Sequence, residues 1–220
     1  MSDILEIKPI AYYHGPFGSK FGIPRQSSLA ADLEGRIVFE PEFRIREALR
    51  GLEGFSRIWL LWGFSANKSD LWHPTVRPPR LGGNTQVGVF ATRSPFRPNP
   101  IGLSAVELYA VDDMELVVRG ADLADGTPIY DIKPYIVYAD SFPDSRSGFA
   151  ASAPEKKLEV IVPQGLGIPA ESLKALEEAL SLDPRPAFHD SPDRIYAMPF
   201  CGKDVRFRVE GNVLTVLSYE

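Results

Sequence analysis

Two arginine-bearing segments contain the residues of this sequence that are best suited to bind a charged ligand. The first runs from Trp72 to Gly83 and the second from Gly88 to Ser104. Their arginines are Arg77, Arg80, Arg93 and Arg97. Arginine offers a planar, permanently charged fork that fits phosphate or carboxylate groups, and closely spaced prolines reduce the entropy that a loop loses on binding. The alternative is a pair of rigid surface loops whose arginines are simply solvated.

Metal and nucleophile chemistry have no recognisable pattern in the sequence. The three histidines, His14, His73 and His189, are far apart, and no cysteine cluster accompanies them. Because structural metal sites need closer ligand spacing, we expect no metal. The nucleophile elbow, the Walker phosphate loop and the dinucleotide-binding glycine motif are also absent from the sequence. The single cysteine, Cys201, has no neighbouring base in the sequence, which favours a buried thiol.

The composition is that of a globular protein with one domain, or with one domain and a small appendage. Of the 220 residues, 44% are hydrophobic and 24% are charged, a balance that allows a buried core. No apolar run approaches the ~20 residues that span a bilayer, and the first residues lack the pattern of a signal peptide. One cysteine rules out an internal disulfide and favours a reducing compartment, so we expect a cytoplasmic protein.

The charge is distributed unevenly along the chain. The net charge is -5, which argues against a protein that coats nucleic acid without selectivity. Residues 68–99, however, carry five basic side chains and one acidic side chain, so this stretch has a charge of +4 and the rest of the chain -9. A local basic patch on an acidic body is compatible with binding one RNA feature.

The chain contains 20 prolines and 18 glycines, which favour short strands joined by tight turns over a helical fold. Apolar patterns predict strands over residues 4–13, 36–39, 55–64, 85–92, 101–111, 114–120 and 127–137. Leucines on one face predict an amphipathic helix over Pro169–Leu182. Alternation over Val205–Ser218, with Gly211-Asn212 as the turn, predicts a terminal hairpin.

The sequence also predicts how the chain is divided. A stretch rich in Ser, Ala, Pro and Gly separates the strand-rich part from the helix and hairpin. We therefore predict a mainly β domain over residues 1–140, a linker over residues 141–157, and a small α+β subdomain over residues 158–220.

Several unusual strings in one order resemble a known family. They are the two arginine segments, FGIPRQ at Phe21–Gln26, GLEGFS at Gly51–Ser56 and DGTPIYDIKPY at Asp125–Tyr135. Together they strongly resemble the TsaA/YaeB-like family, named TrmO after its tRNA-methylating members. The resemblance covers most of residues 4–140 and extends more weakly to residues 183–188 and the final hairpin.

The resemblance implies a fold, a reaction and a set of cofactor-binding residues. It implies a β-barrel core unrelated to the Rossmann fold, a homodimer, and S-adenosyl-L-methionine as methyl donor. The implied acceptor is N6 of N6-threonylcarbamoyladenosine at position 37 in the tRNA anticodon loop. By position, the implied cofactor-binding residues are Pro24, Arg25, Gln26, Ser65, Ala66, Arg93, Leu103, Asp125, Gly126, Thr127 and Pro128.

The roles of individual groups in such a reaction stay open at the level of sequence. Arg93 or Arg25 could pair with a carboxylate of the cofactor or of the substrate. If a general base removes the N6 proton, Asp131 and Asp125 are the candidates. We expect the tRNA substrate to contact Arg77, Arg80, Arg97, Asn99, Tyr130 and Lys133. The alternative functions are methylation of another RNA base or of a small molecule, and a non-catalytic RNA-binding barrel.

Overall fold

The computed structural model describes residues 5–65, 72–155, 158–185 and 193–220. The strands are β1 Ala11–His14, β2 Glu34–Phe39, β3 Arg57–Gly63, β4 Thr75–Val76, β5 Val87–Gly88, β6 Ile101–Asp112, β7 Glu115–Arg119, β8 Thr127–Pro134, β9 Glu159–Ile161, β10 Tyr196–Phe200, β11 Lys203–Glu210 and β12 Val213–Tyr219. The α-helices are α1 Arg46–Leu49, α2 Val137–Asp140 and α3 Ala170–Ser181. None of the helices in these described ranges combines the length and apolar character that crossing a membrane requires.

Six strands close into an antiparallel barrel in the order β1-β2-β7-β6-β3-β8. Every second residue of β3 and, up to its bulge, of β6 points inward. The interior is filled by branched aliphatic side chains, among them Ile37, Ile58, Leu60, Leu116 and Ile129. The barrel confirms the predicted mainly β fold without a Rossmann sheet.

One end of the barrel gathers most of the chain segments that the family resemblance singles out, whereas Gly51–Ser56, which precedes β3, lies at the other end. Gly63 at the end of β3 pairs with Ile101 at the start of β6, and Trp62 pairs with Ile129 near the start of β8. The connections that leave β3, enter β6 and enter β8 therefore open at the same end of the barrel. We call this the site end.

A second sheet, in the order β10-β11-β12-β9, packs with α3 around its own apolar core. Phe17, Ala30 and Leu33, from the long connection between β1 and β2, are buried in that core. Gly22, with φ +94°, lies directly against Met198 of β10, where a side chain would collide with the methionine. The packing of this connection thus crosses the predicted boundary at residues 141–157, and the division of the chain stays a prediction.

Most predicted elements are confirmed, but the strand predicted over residues 4–13 is reduced to β1 at Ala11–His14, and two further local predictions are wrong. Helix α3 and the β11–β12 hairpin occupy the predicted ranges. The strand predicted over residues 85–92 is reduced to β5 and a 3-10 turn, because Val89 is buried and its carbonyl accepts bonds from both the amide and hydroxyl of Thr92. Cys201, expected to be buried, is exposed in a left-handed turn between β10 and β11.

Candidate cofactor and RNA site

The two arginine segments together line one large cleft. The cleft has a volume of about 1980 Å³, and its lining includes Arg77, Arg80 and Arg93. Arg25 and Gln26, from the connection between β1 and β2, line it as well. The opposite wall comes from the predicted linker, through residues 147–155, and from residues 182–185 after α3. Segments distant in sequence thus build a single open cavity large enough for a nucleotide.

Backbone and side-chain bonds hold the two arginine segments together. The amide of Val89 donates to the carbonyl of Pro74 at 3.0 Å, and the amide of His73 donates to the carbonyl of Phe96 at 3.1 Å. Arg97 donates from Nη1 to two carbonyls of its own segment, at 2.9 and 3.1 Å. Neither Arg97 nor Asn99, both predicted to contact substrate, lines the cleft. Arg97 instead fixes the shape of the loop.

Of the arginines that line the cleft, Arg185 is paired with Asp183 at 2.8 Å, whereas the others lack a carboxylate partner within the described ranges. Arg93 Nη1 donates to Gln26 Oε1 at 2.6 Å, which is a neutral partner. Arg80 donates to the carbonyl and hydroxyl of Ser152 in the linker wall. Within the described ranges, no carboxylate lies at ion-pair distance from Arg25, Arg77, Arg80 or Arg93. These groups are available to a ligand that carries phosphate or carboxylate.

A buried polar network underlies the cleft at the site end of the barrel. Trp62 Nε1 donates to Ser104 Oγ at 3.0 Å, and that hydroxyl donates to Asp122 Oδ1 at 2.6 Å. Burial raises the pKa of the Asp122 carboxyl, while hydrogen bonds from Ser104 and from backbone amides and the charge of Arg93 oppose the rise. The network thus fixes Asp122 against the barrel wall at the site end.

The Asp-Gly-Thr-Pro corner lies beside this network and does not line the cleft. Asp125 Oδ1 accepts bonds from the amide of Gly15 at 3.2 Å and from His14 Nδ1 at 3.1 Å. Gly126 has φ +74° and donates its amide to a β1 carbonyl, so the turn needs glycine. Thr127 closes the turn by donating its hydroxyl to the carbonyl of Ala124 at 2.7 Å, and Pro128 follows inside β8.

Tyr13 lies behind the corner, and its hydroxyl is buried. Burial raises its pKa, and the nearby carboxylates of Asp122 and Asp125 add to the rise. Among the described residues this hydroxyl has no hydrogen-bond partner. The carboxylates of Asp122 and Asp125 therefore both act on the Tyr13 hydroxyl, and of these two aspartates only Asp125 is exposed.

The remaining predicted cofactor residues lie at the same barrel end but on its outer surface. Ser65 follows β3 directly, and its amide donates to the carbonyl of Gly63 at 2.8 Å. Leu103 stands on the outward phase of β6, with 51% of its surface exposed, next to the exposed Ile101. Pro24 is buried beside the exposed Arg25. Ala66 and Phe188 lie outside the described residues.

Three predicted substrate or catalytic residues project from β8 away from the cleft. The Asp131 carboxylate forms an ion pair with Lys133 at 2.7 Å and accepts the amide of Ile132 at 2.9 Å. The hydroxyl of Tyr130 lies over Gly63, where a side chain would collide with it. This group of residues shares the outer barrel surface with Leu103.

Sequence reasoning missed four residues that the structure brings to the site: Asp122, Ser104, His14 and Phe90. Ser104 occupies an inward position of β6, and a polar residue in the apolar phase of a strand is a signal of a buried hydrogen bond. Phe90 lines the cleft with 73% of its surface exposed. His14 and Asp122 give no such signal, because their partners are distant in sequence. The described residues contain no group of three potential metal ligands.

The fold and the cleft are those of a β-barrel protein with an arginine-lined cavity and without a Rossmann sheet. Comparison with known families is specific. The family model described as "tRNA-methyltransferase O N-terminal domain" matches residues 12–141, and the TrmO C-terminal domain model matches residues 166–220. The chain belongs to the TrmO family.

Similar proteins and structures agree with this assignment. A tRNA (adenine(37)-N6)-methyltransferase of Escherichia coli is 38% identical, over 98% of this chain and 97% of its own length. A relative from Pseudomonas aeruginosa, provisionally named an S-adenosylmethionine-dependent methyltransferase, is 40% identical over 91% of both chains. The crystal structure of TrmO from Pseudomonas aeruginosa superposes with a TM-score of 0.83 at 32% identity, over 99% of this chain and 98% of that one.

Proposed function

We propose that this protein methylates N6 of N6-threonylcarbamoyladenosine at position 37 of tRNA, with S-adenosyl-L-methionine as methyl donor. The observation that carries the proposal is the cationic cleft at the site end of the barrel, which is built from the segments the family resemblance singles out. Membership of the TrmO family and the names of the similar proteins support the reaction and the methyl donor.

The groups at the site end fit the chemical parts of the cofactor. The methionyl carboxylate matches the charge-assisted donors of Arg93 and Arg25, with Gln26 adding an amide. We assign the adenine to the exposed residues Asp125 and Gly126 of the turn, whose amides already bond to carbonyls of the protein, so the turn offers acceptors only; Leu103 and Ser65 offer an apolar and a polar contact nearby. S-adenosyl-L-methionine supplies a methyl group that is already activated on a sulfonium. The protein has to position both reactants and exclude water.

If a base removes the N6 proton, Asp125 is better suited than Asp131. The Asp131 carboxylate is already engaged by Lys133 at 2.7 Å and by the amide of Ile132. Asp125 is half exposed at the turn, and its Oδ1 lies 3.1 Å from His14 Nδ1, which orients it. We therefore propose Asp125, oriented by His14, as the base.

The proposed tRNA contacts fall into two groups. Arg77 and Arg80 line the cleft and supply phosphate contacts, and the exposed Phe90 beside them offers a ring on which an unstacked base of the anticodon loop can lie. Arg97 acts through the loop that it braces. Asn99, Tyr130 and Lys133 remain proposed contacts outside this cleft.

We also propose a homodimer that acts in the cytoplasm. Ile101 and Leu103 form an exposed apolar strip on the outer surface of β6 next to proposed cofactor contacts, and a second copy of the chain would cover it. The exposed thiol of Cys201 supports a reducing compartment. Sedimentation analysis of the purified protein tests the dimer, and a mass corresponding to one chain at micromolar concentration contradicts it.

The reaction is tested by incubating the purified protein with S-adenosyl-L-methionine and either threonylcarbamoylated or unmodified tRNA, followed by mass analysis of the nucleosides. We expect a mass increase of one methyl group only on the threonylcarbamoylated nucleoside. Methylation of another base, or of both tRNAs equally, contradicts the proposed acceptor. Failure to bind S-adenosyl-L-methionine in calorimetric titration contradicts the proposed methyl donor.

A further inference from the structure

We propose that His73 and Phe96 form a second stacking position in the cleft, which holds the RNA base next to the one that lies on Phe90. The proposal rests on the proposed function, because it takes the anticodon loop of tRNA as the ligand. All three rings line the cleft. Proteins that bind single-stranded nucleic acid combine a basic groove with aromatic side chains on which successive bases stack. Two stacking positions in one basic cleft therefore indicate a ligand with two consecutive unstacked bases.

Backbone hydrogen bonds bring the three rings to one place. Strands β4 and β5 form a short antiparallel ladder, and beyond it the amide of Val89 donates to the carbonyl of Pro74 at 3.0 Å. His73 and Phe90 are the next residues on these two chains, so they lie on adjacent backbones. The amide of His73 donates to the carbonyl of Phe96 at 3.1 Å. His73 is thus tied directly to Phe96 and, through the residue that follows it, to the neighbour of Phe90.

Contacts brace the rings and leave them accessible. The rings of His73 and Phe96 have centroids 5.5 Å apart and planes at 64°, which is an edge-to-face contact. Such a contact occupies one face of one ring, so each ring keeps at least one face outside it. The guanidinium of Arg97 lies 6.0 Å from the centre of the Phe90 ring, while 73% of the Phe90 surface stays exposed. His73 and Phe96 are exposed as well.

The setting of these rings distinguishes them from scattered surface aromatics. Single exposed apolar side chains are ordinary, whereas several exposed rings inside one concave surface can contact a ligand together. The loops that carry them are already fixed, because Arg97 donates to two carbonyls of its own segment and Val89 is buried. A site that is fixed in advance loses little entropy when a base stacks on it.

The test is a cycle between protein variants and RNA variants. The probes are a labelled anticodon stem-loop with N6-threonylcarbamoyladenosine at the target position, and the same RNA with an abasic residue on one or the other side of it. Fluorescence anisotropy measures the affinities without S-adenosyl-L-methionine. We expect His73→Ala and Phe96→Leu each to weaken binding of the intact RNA by about tenfold, which is the size of one base–aromatic stack.

The abasic RNAs identify the base that is held. One of them should bind the wild type about tenfold more weakly than the intact RNA does, because it lacks the stacked base. To this RNA, His73→Ala and Phe96→Leu should bind within about twofold of the wild type, since the interaction is already lost. Tenfold losses that persist with both abasic RNAs would overturn the proposal, because they would reflect a change in the loop.

Three control variants separate stacking from other effects. His73→Phe should bind like the wild type, since it keeps a ring, and a loss as large as in His73→Ala overturns stacking on this residue. Phe90→Leu should weaken the intact and both abasic RNAs equally, because it holds the other base. Phe142→Leu removes an exposed ring outside the cleft lining and should change nothing. If Phe96→Leu does not fold, His73→Ala decides alone, since its side chain is exposed.

The methylation assay keeps this inference distinct from the proposed function. A wild-type protein that methylates the tRNA and binds the intact and abasic RNAs equally well retains the proposed function and overturns the second stacking position. A wild-type protein that shows the expected cycle but transfers no methyl group retains the stacking position and loses the proposed function. A wild-type protein that does not bind the stem-loop overturns both.

Discussion

The cleft and the C-terminal sheet use the same residue type in opposite ways. On the sheet, Arg206 pairs with Glu220 at 3.0 Å and Arg208 pairs with Glu210 at 3.6 Å, so both arginines have an acidic partner on the surface. In the cleft, Arg93 bonds to a neutral glutamine amide. Exposed ion pairs contribute little to stability. Arg77, Arg80 and Arg93 in the cleft have no ion-pair partner within the described ranges, so we expect their charges to contribute binding energy to an anionic ligand.

The two regions also differ in what holds them together, although they are physically connected. The C-terminal core is apolar throughout its buried cluster, whereas the site end of the barrel contains the Trp62–Ser104–Asp122 network. The connection between β1 and β2 joins both, because Phe17 and Leu33 lie in the apolar core while Gln26 bonds to Arg93. The C-terminal sheet therefore acts as the support of one wall of the cleft.

The largest expected effect comes from a substitution in the C-terminal core, which supports this wall of the cleft. Phe207 is fully buried and stacks on Phe21, with ring centroids 6.4 Å apart. We expect Phe207→Ala to lower the free energy of unfolding by about 3 to 5 kcal/mol, measured by urea denaturation, because the buried ring leaves a cavity. Cofactor binding should weaken as well below the unfolding transition, since Phe21 leads into Arg25.

Leu217→Ala provides the control for Phe207→Ala, because Leu217 is partly exposed on the neighbouring strand β12. It should leave cofactor binding unchanged and cost little stability. A destabilised Phe207→Ala protein that binds S-adenosyl-L-methionine as tightly as the wild type would show that the sheet does not support the cleft.

A smaller effect sharpens the contrast between the two sets of arginines. Arg93→Ala should weaken binding of S-adenosyl-L-methionine by about 1.5 to 3 kcal/mol, roughly ten- to hundred-fold, because it removes a charge-assisted hydrogen-bond donor. The melting temperature should hardly change, since Arg93 is exposed. Arg208→Ala, which removes a paired arginine from the sheet, should alter neither quantity. Calorimetric titration and thermal denaturation measure both, and equal binding losses in the two variants would abolish the distinction.

The sequence predicted the barrel better than it predicted the site. A continuous apolar run predicts β3 and an apolar pattern predicts β6, and both strands form at those places. The strand prediction for residues 85–92 is wrong because a buried Val89 next to an exposed Phe90 fits a 3-10 turn as well as it fits a strand. Proline spacing predicted stiff arginine loops, and both do line the cleft.

Individual roles within the site could not be predicted because they depend on long-range contacts. Arg97 and Arg93 look alike in sequence, yet the first bonds to its own loop and the second reaches Gln26, 67 residues away. Asp131 and Asp125 are equivalent base candidates in the sequence, but the fold gives Asp125 a partner 111 residues away, His14. Short-range patterns identify which loops matter, and the tertiary structure decides which side chains within them face the ligand.

The smallest expected effect tests whether the arginines of the cleft that lack an ion-pair partner contact RNA. Arg77 lines the cleft, while Arg206 lies paired on the C-terminal sheet. Arg77→Gln should reduce the magnitude of the slope of log affinity against log salt concentration for the tRNA by about one, because one phosphate contact and its released counterion are lost. Arg206→Gln should leave the slope unchanged, since Glu220 already satisfies that charge. Filter binding at several salt concentrations measures both slopes, and a reduced slope in Arg206→Gln but not in Arg77→Gln would place the tRNA on the sheet instead of the cleft.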